Sequence, residues 1–438
     1  MVLHVPFNYF PDSPGGTEIY VASLIVKLRE LGISGAVAAP GIVSEFYEHD
    51  GIIVYRFAHA NQSKLMHAYG EPDQTAARSF RAVLSHAKPQ IVHLHAHTSA
   101  VSDLLVDAGH ECGAKIVFTY HTPTVSCVQG TMMRLGHIPC DGELIVRRCA
   151  ACVLAKHGVP PLFRETLAAL SPVVGDKIGH FASEGKFVTA LCMSSLVSNA
   201  HKRFNNLMEK ADRVVAVCNW VADVLRINGV PDDKVMLCRQ GLPDLQDQTA
   251  TLERLTSADS VLQLGYFGRI DPVKGIDILI DALRSVPKLP VSLKIYGVRQ
   301  PGSEDYARKL EQSAASDARI TFWSALSPGA VESAMRACHF VAIPSRWQET
   351  GPLVVLEAFG AGTPVLGAQL GGISELVEDG VDGILIPPDD SAAWARTITS
   401  LAKNLDRVQN LRKGVRKPRS MRDAAIEMAA LYHTLLTG

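Results

Sequence analysis

The chain has 438 residues, with 43 Lys and Arg against 44 Asp and Glu for a net charge of -1. That length exceeds one ordinary domain, so two are expected, and the balanced charge supplies no global field to gather nucleic acid. With 47% hydrophobic and 20% charged residues, the composition excludes disorder and a coiled coil.

The chain opens Met-Val-Leu-His-Val-Pro, a strand rather than a basic region followed by an apolar signal core. The longest apolar runs, such as Arg213–Cys218 and Phe187–Met193, fall far short of the ~20 residues that cross a bilayer. A cytoplasmic protein is expected. Strands are predicted at Val2–Pro6, Ala36–Ala39, Ile52–Phe57, Ile91–His95, Ile116–Tyr120, Arg213–Cys218 and Val235–Cys238. A second series follows at Val261–Phe267, Ser292–Tyr296, Ile320–Trp323, Phe340–Pro344, Pro364–Gly367 and Gly383–Ile386. Near-continuous apolar strands alternating with helices indicate parallel sheets covered on both faces, hence an α/β chain of two doubly wound domains. The break is placed near Gly241–Ala258, where Gly241-Leu242-Pro243-Asp244 leads into the polar stretch Gln246–Ser260. The expected division is 1–242, 243–420 and a closing helix over 421–438, where Ala425, Met428, Ala429 and Tyr432 recur at helical spacing. Residues of about 122–200 interrupt the first series with Pro, Gly and Cys and are read as an insertion.

Three loops have the chemistry to hold a diphosphate. Pro14-Gly15-Gly16-Thr17-Glu18 follows the first strand and opens a helix, whose N-terminal amides favour an anion. It is not G-x-G-x-x-G, which weakens a nicotinamide reading, and a plain turn is the alternative. Arg269 and Lys274, in Gly268-Arg269-Ile270-Asp271-Pro272-Val273-Lys274-Gly275, fall at the carboxyl end of a strand, the edge where open α/β sheets bind ligands. A guanidinium fork and an ammonium point charge suit a diphosphate. In Glu349-Thr350-Gly351-Pro352-Leu353-Val354-Val355-Leu356-Glu357, two glutamates bracket a predicted helix start at Gly351-Pro352. Glu349 then precedes the helix and Glu357 lies about two turns inside it, on the order of 10–12 Å away. A nucleotide sugar has that layout: sugar hydroxyls, diphosphate, then ribose diol. The alternative is a salt-bridged Glu357 and a merely exposed Glu349.

These loops, in this order, resemble the retaining GT-B glycosyltransferases of the family 4 type. Gly371-Gly372-Ile373-Ser374-Glu375, Asp379-Gly380 and Asp382-Gly383 add to the likeness, which covers roughly residues 1–121 and 205–438. The resemblance implies two Rossmann-like domains facing a cleft, with the closing helix crossing back to the first. It implies a nucleotide-diphosphate sugar donor, with Arg269 and Lys274 neutralising the diphosphate, Glu357 on the ribose and Glu349 on the sugar. Backbone amides near Gly351, Leu353 and Val354, with Gly15 and Gly16, would line the phosphates. Pro352 departs from many relatives because it has no amide hydrogen to donate. His121, ending the strand Ile116–Tyr120, matches a histidine implicated in sugar positioning. The resemblance further implies front-face attack through an oxocarbenium-like state. No Asp-x-Asp stands at a strand end, so metal-independent catalysis is expected. The acceptor would be a glycan, a lipid-linked glycan or a small molecule, in cell-surface or exopolysaccharide synthesis. Two other readings share these motifs: a nucleotide-sugar epimerase of related fold, and a non-catalytic metal-dependent sensor or scaffold.

Two features lie outside that likeness. Four of the nine cysteines, Cys127, Cys140, Cys149 and Cys152, cluster in the insertion, where loops promise little core of their own. A structural zinc would supply the missing folding energy, with His157 as a substitute ligand; an iron–sulfur cluster, a redox pair or free thiols are the alternatives. The basic stretch Lys403, Arg407, Arg412, Lys413, Arg416, Lys417, Arg419 and Arg422 is read as a solvated face, or as a peripheral contact to the inner face of the membrane. His93, His95 and His97 alternate along one strand; packing and local hydrogen bonds are preferred there over a metal triad.

Overall fold

The computed structural model describes residues 1–12, 15–60, 69, 71–173, 185–243, 261–300 and 302–438. They divide into two compact units, Met1–Gln240 with Met421–Gly438, and Gly241–Ser420. The predicted linker stretch Gln246–Ser260 lies outside the described residues.

The first unit is built on strands β1 (Val2–Val5), β2 (Gly35–Gly41), β3 (Glu45–His49), β4 (Ile52–Ala58), β5 (Ile91–Leu94) and β6 (Lys115–Tyr120). A two-stranded hairpin, β7 (Met133–Arg134) and β8 (Ile138–Pro139), precedes β9 (Arg213–Ala216) and β10 (Val235–Leu237). Eight strands form one sheet in the order β10-β9-β6-β5-β1-β2-β4-β3. All neighbours are parallel except the edge strand β3, which runs antiparallel to β4. Strands buried on both faces explain the apolar runs: every residue of β1 and β5 is buried. One core lies beneath each face, and the helix Met421–Thr437 joins the helix Gly16–Glu30 over one of them through Met421, Met428, Tyr20 and Leu24.

Between β6 and β9 the chain forms the hairpin and the helices Val146–Lys156, Pro161–Ala168, Lys186–Leu191 and Met193–Lys210. Residues 174–184 of this segment lie outside the described residues. The expectation of little core is corrected here, since Ala150, Val153, Leu154, Met193 and Val197 pack into a cluster of their own. The signal was present in the sequence: those residues recur at helical spacing, though cysteines and glycines interrupt them.

The second unit carries β11 (Leu262–Ile270), β12 (Val291–Arg299), β13 (Ile320–Trp323), β14 (Phe340–Ile343), β15 (Val365–Ala368) and β16 (Gly383–Ile386). They form a parallel sheet in the order β13-β12-β11-β14-β15-β16. β11 and β14 are therefore hydrogen-bonded neighbours although far apart in sequence. Parallel strands all end on the same edge, so the loops that follow β11, β14 and β15 meet there.

Candidate active site

β11 runs through Arg269, so this residue stands on the strand and not on the loop expected. Its side chain is exposed, and its backbone carbonyl accepts a 2.6 Å hydrogen bond from the Tyr266 hydroxyl. The turn Pro272–Lys274 comes next, capped by the Asp271 carboxylate, which accepts from the Val273 amide. That turn projects Lys274 toward the loop after β14. There Lys274 Nζ lies 2.6 Å from Glu349 Oε1, and the same oxygen accepts from the Ser345 hydroxyl at 2.8 Å. Lys274 also sits over the Trp347 ring at 5.1 Å. Burial pushes the Glu349 carboxyl up, but the Lys274 charge and the hydrogen bonds from Lys274 and Ser345 outweigh it and hold the group below its ordinary range.

Glycines let these loops touch. Gly275 has φ +68°, and a Cβ there would lie 2.1 Å from the Pro344 carbonyl oxygen. Gly371 has φ +46°, with the Glu349 carbonyl 2.7 Å from where its Cβ would be, and the Gly372 amide donates to that carbonyl at 2.6 Å. Arg346 clamps the assembly from outside. It makes two 2.7 Å bonds to Asp277, one to each carboxylate oxygen, and another to Asp389, while its amide donates to the Val273 carbonyl. Tyr266, Ser345, Arg346 and Asp277 escaped the sequence reading. Arg346 and Asp277 act through each other across 69 residues, and Tyr266 and Ser345 through partners three and four residues away that no motif singles out.

The helix after this loop runs Leu353–Gly360 with Pro352 as its N-cap, so Glu357 lies four residues in, just over one turn rather than two. Gly351 precedes the helix, and the amides of Leu353 and Val354 open it, where the helix has no carbonyl to offer them. Glu357 is partly exposed yet closely surrounded by protein, and burial pushes its carboxyl up to about 7. No hydrogen bond or ion pair to its carboxylate occurs among the described residues. The salt-bridged glutamate is thus Glu349, the reverse of the alternative raised from sequence.

In the first unit, Gly15 caps the helix Gly16–Glu30 and its amide donates to Glu18 Oε2 at 2.7 Å. That bond occupies the Gly15 amide expected to face a phosphate; Gly16 is the first helical residue. Pro14 lies outside the described residues. Arg56, only 5% exposed, bonds the Tyr9 carbonyl at 2.6 Å and Asp12 at 2.9 Å, and so pins the turn ahead of this loop.

β1, β5 and β6 are neighbours, and their register pairs His4 with His93 and His93 with Val117. His121 follows β6 and is 5% exposed. A chain of ring nitrogens results: His4 Nδ1 to His95 Nε2 at 3.0 Å, His95 Nδ1 to His121 Nε2 at 2.9 Å, and His121 Nδ1 to the Gln240 amide nitrogen at 3.1 Å. His93 bonds the Tyr432 hydroxyl at 2.6 Å and Thr119 Oγ1 at 2.7 Å. Burial lowers His4 and His121 to about 3 and drives His93 and His95 well below the ordinary value, so all four rings are neutral at pH 7. His4, His93 and His95 do bring ligand nitrogens within 4.8 Å. Both nitrogens of His93 and of His95 already have partners, which makes this a hydrogen-bonded core. His97 stands outside it.

Cys127, Cys140, Cys149 and Cys152 all line one cavity, and none of them is in a disulfide among the described residues. His157 is exposed at the end of the helix Val146–Lys156 and does not line that cavity. Burial, with Cys127 and Cys140 close by, pushes the Cys149 thiol up to about 12. Among the described residues no three of these sulfurs lie within 4.8 Å of one another. A single zinc ion with four thiolates needs sulfurs about 3.8 Å apart, given Zn–S bonds of about 2.3 Å. The compact tetrahedron expected from sequence is therefore not assembled. In the basic stretch, Arg412 donates to the Cys338 carbonyl at 2.7 Å and Arg416 pairs with Glu378. No helix among the described residues is long and apolar enough to cross a membrane.

Comparison with known proteins bears on the whole arrangement. The model for glycosyl transferases group 1 matches residues 247–418, and that for glycosyltransferase family 4 matches 14–159. A D-inositol 3-phosphate glycosyltransferase of Stackebrandtia nassauensis is 34% identical over 223 residues, 48% of this chain and 50% of that protein. One from Mycobacterium sp. (strain JLS) is 31% identical over 237 residues, 52% of this chain and 50% of that protein. The chain thus matches about half the length of these curated relatives. Among solved structures, Anabaena HepE in complex with UDP-glucose aligns over 99% of both chains with a TM-score of 0.64 at 18% identity. Sucrose-phosphate synthase from Thermosynechococcus elongatus aligns over 99% of both with a TM-score of 0.63, also at 18% identity. With two parallel-sheet units of this topology and family models matching in both halves, the chain belongs to the GT-B glycosyltransferases of the family 4 type.

Proposed function

We propose that this chain transfers a sugar, with retention at the anomeric carbon, from a nucleoside diphosphate sugar to an acceptor hydroxyl of a cell-surface or exopolysaccharide glycan, a lipid-linked glycan or a small molecule. The observation that carries the reading is the group on one edge of the second sheet. Lys274 and Glu349 are paired at 2.6 Å, and Glu357 stands close by in sequence with no partner for its carboxylate among the described residues. Lys274 would turn from Glu349 toward the diphosphate, assisted by the exposed Arg269 and the Leu353 and Val354 amides. Glu349, released, would accept from hydroxyls of the transferred sugar. Glu357 would accept from the ribose diol, which gives a carboxylate otherwise costly to bury its missing donors.

As the sugar–phosphate bond breaks, negative charge grows on the departing diphosphate. In this proposal Lys274, once turned to the diphosphate, would meet that charge together with Arg269 and the helix N-terminus, and donors aimed at developing charge lower the barrier. His121 is proposed for sugar positioning. Its neutral ring, held by His95 and Gln240, is suited to hydrogen bonding rather than to charge. In this proposal the second unit binds the donor and the first serves the acceptor. HepE is described with UDP-glucose, so UDP-sugars are the first donors to test. Peripheral membrane contact rests on the exposed Lys403, Arg407, Lys413, Lys417 and Arg422.

A thermal-shift screen against UDP-, GDP- and ADP-sugars tests the donor assignment. A specific binder raises the melting temperature, and Lys274→Ala reduces the rise at equal ligand concentration. An equal rise with wild type and Lys274→Ala would overturn the diphosphate role.

A further inference from the structure

We propose that Cys127, Cys140, Cys149 and Cys152 hold an iron–sulfur cluster rather than a zinc ion. The proposal is independent of the donor site. All four cysteines line a single cavity, together with the apolar Met132, Met133 and Val153. They reach it from three pieces of chain. Cys127 follows the turn Pro123–Val125, Cys140 follows the hairpin strand Ile138–Pro139, and Cys149 and Cys152 share one face of the helix Val146–Lys156 at i, i+3 spacing. The Cys140 amide donates to the Met132 carbonyl at 2.9 Å, which fixes the hairpin exit against its entry.

Spacing decides between the metals. All four cysteines line the cavity, and among the described residues no three of their sulfurs fall within 4.8 Å of one another, wider than the about 3.8 Å around one tetrahedral ion. In a four-iron cluster each thiolate binds its own iron atom, so the four cysteines stand further apart than around one ion. Protein donors to sulfur are a second sign. Cys152 Sγ accepts from the Leu135 amide at 3.1 Å and from Gln129 Nε2 at 2.8 Å, the kind of contact that stabilises a metal-bound thiolate. Left-handed backbone at Met132, Leu135 and Gly136 bends the hairpin so that the Leu135 amide faces that sulfur. The charge of the lining is mixed: Arg134 and Arg148 line the cavity, with Arg148 paired to Asp141 and Glu143 beside it. The cluster would tie the hairpin to the helix Val146–Lys156, a structural role that requires no electron transfer.

The test uses the full chain purified without oxygen, and then the same protein reconstituted with ferrous iron and sulfide. Iron and acid-labile sulfide should both bind in stoichiometric amounts, with broad visible absorption, and X-ray absorption should show iron–sulfur and iron–iron distances. Cys149→Ser and Cys152→Ser should lose the absorption, while Cys112→Ser, at an exposed cysteine outside the cavity, should keep it. Because a cysteine variant can fail through misfolding alone, the wild-type metal content is the deciding measurement. Stoichiometric zinc without iron overturns the proposal. So does a chain that stays folded, metal-free and colourless after reconstitution.

Discussion

Lys274 Nζ and Glu349 Oε1 lie 2.6 Å apart across 75 residues of sequence, with only 18% and 8% of their side chains exposed. The pair joins the loop after β11 to the loop after β14. Removing one member leaves the other charge buried, which costs about 3–5 kcal/mol where a pair is fully enclosed. Lys274→Ala should therefore lower the melting temperature of the second unit as well as weaken UDP binding by roughly 10- to 100-fold, the value of charge-assisted hydrogen bonds worth about 1.5–3 kcal/mol. The double variant Lys274→Ala, Glu349→Gln should recover most of the stability and none of the affinity. Calorimetry of the four proteins with and without UDP checks this. Recovery of affinity in the double variant would show that Lys274 serves only Glu349.

Glu357 gives a pH signature. Burial raises its carboxyl to about 7, and a ribose diol donating to it favours the ionised form. Below pH 7 the free protein holds a proton that must leave on binding. UDP affinity should thus rise as pH increases through about 7 and level off above it. Glu357→Gln should bind more weakly and lose the pH dependence. Titration calorimetry between pH 6 and 8 in two buffers of different ionisation heat reads the released proton directly; identical heats and a flat wild-type profile would remove Glu357 from the ribose site.

The sequence made the parallel strands legible because burial on both faces leaves unbroken Val and Ile runs, as at Phe340–Ile343. The edge strand Glu45–His49 was missed because its residues are mostly exposed and carry no apolar run. Within the site, Lys274, Glu349 and Glu357 were visible as residues. Which glutamate would be paired was not, since that depends on β11 lying beside β14. His4 was overlooked for the same reason: only the β1–β5 register brings it to His93. Cysteine spacing picked out four residues that share one cavity, while their placement around it depends on the hairpin between Cys127 and Cys140, which the spacing does not reveal.

Two glycines separate loop contact from backbone preference. Gly275 and Gly302 both have positive φ, +68° and +85°, but only Gly275 faces an obstacle, the Pro344 carbonyl. Gly302→Ala should cost about 1 kcal/mol, the strain of a left-handed non-glycine residue. Gly275→Ala must in addition displace the loop that carries Ser345 and Glu349. It should cost more in chemical denaturation and reduce UDP affinity, while Gly302→Ala leaves affinity unchanged. Equal effects at the two positions would mean that the loops adjust freely.

The buried histidines predict where acid weakens the first unit. His4 and His121 titrate near 3 when folded, and His93 and His95 well below their ordinary value, because burial disfavours the charged ring. The unfolded chain binds protons at all four near pH 6.5, whereas the folded chain does not. Stability therefore rises with pH through this window and is lost as pH falls from about 6.5 toward the folded values. Each histidine contributes a slope of at most about 1.4 kcal/mol per pH unit once the unfolded ring is fully protonated. The interval from pH 6.5 to 5 isolates this effect, since most carboxylates are still ionised there. Hydrogen exchange of β1, β5 and β6 should accelerate over that interval by more than solvent catalysis accounts for. His4→Gln should exchange faster at neutral pH, because it disturbs the bond to His95, but should depend less steeply on pH because one proton is removed from the balance. Unchanged protection of these strands between pH 6.5 and 5 would mean that the unfolded rings do not gain the protons the folded core refuses.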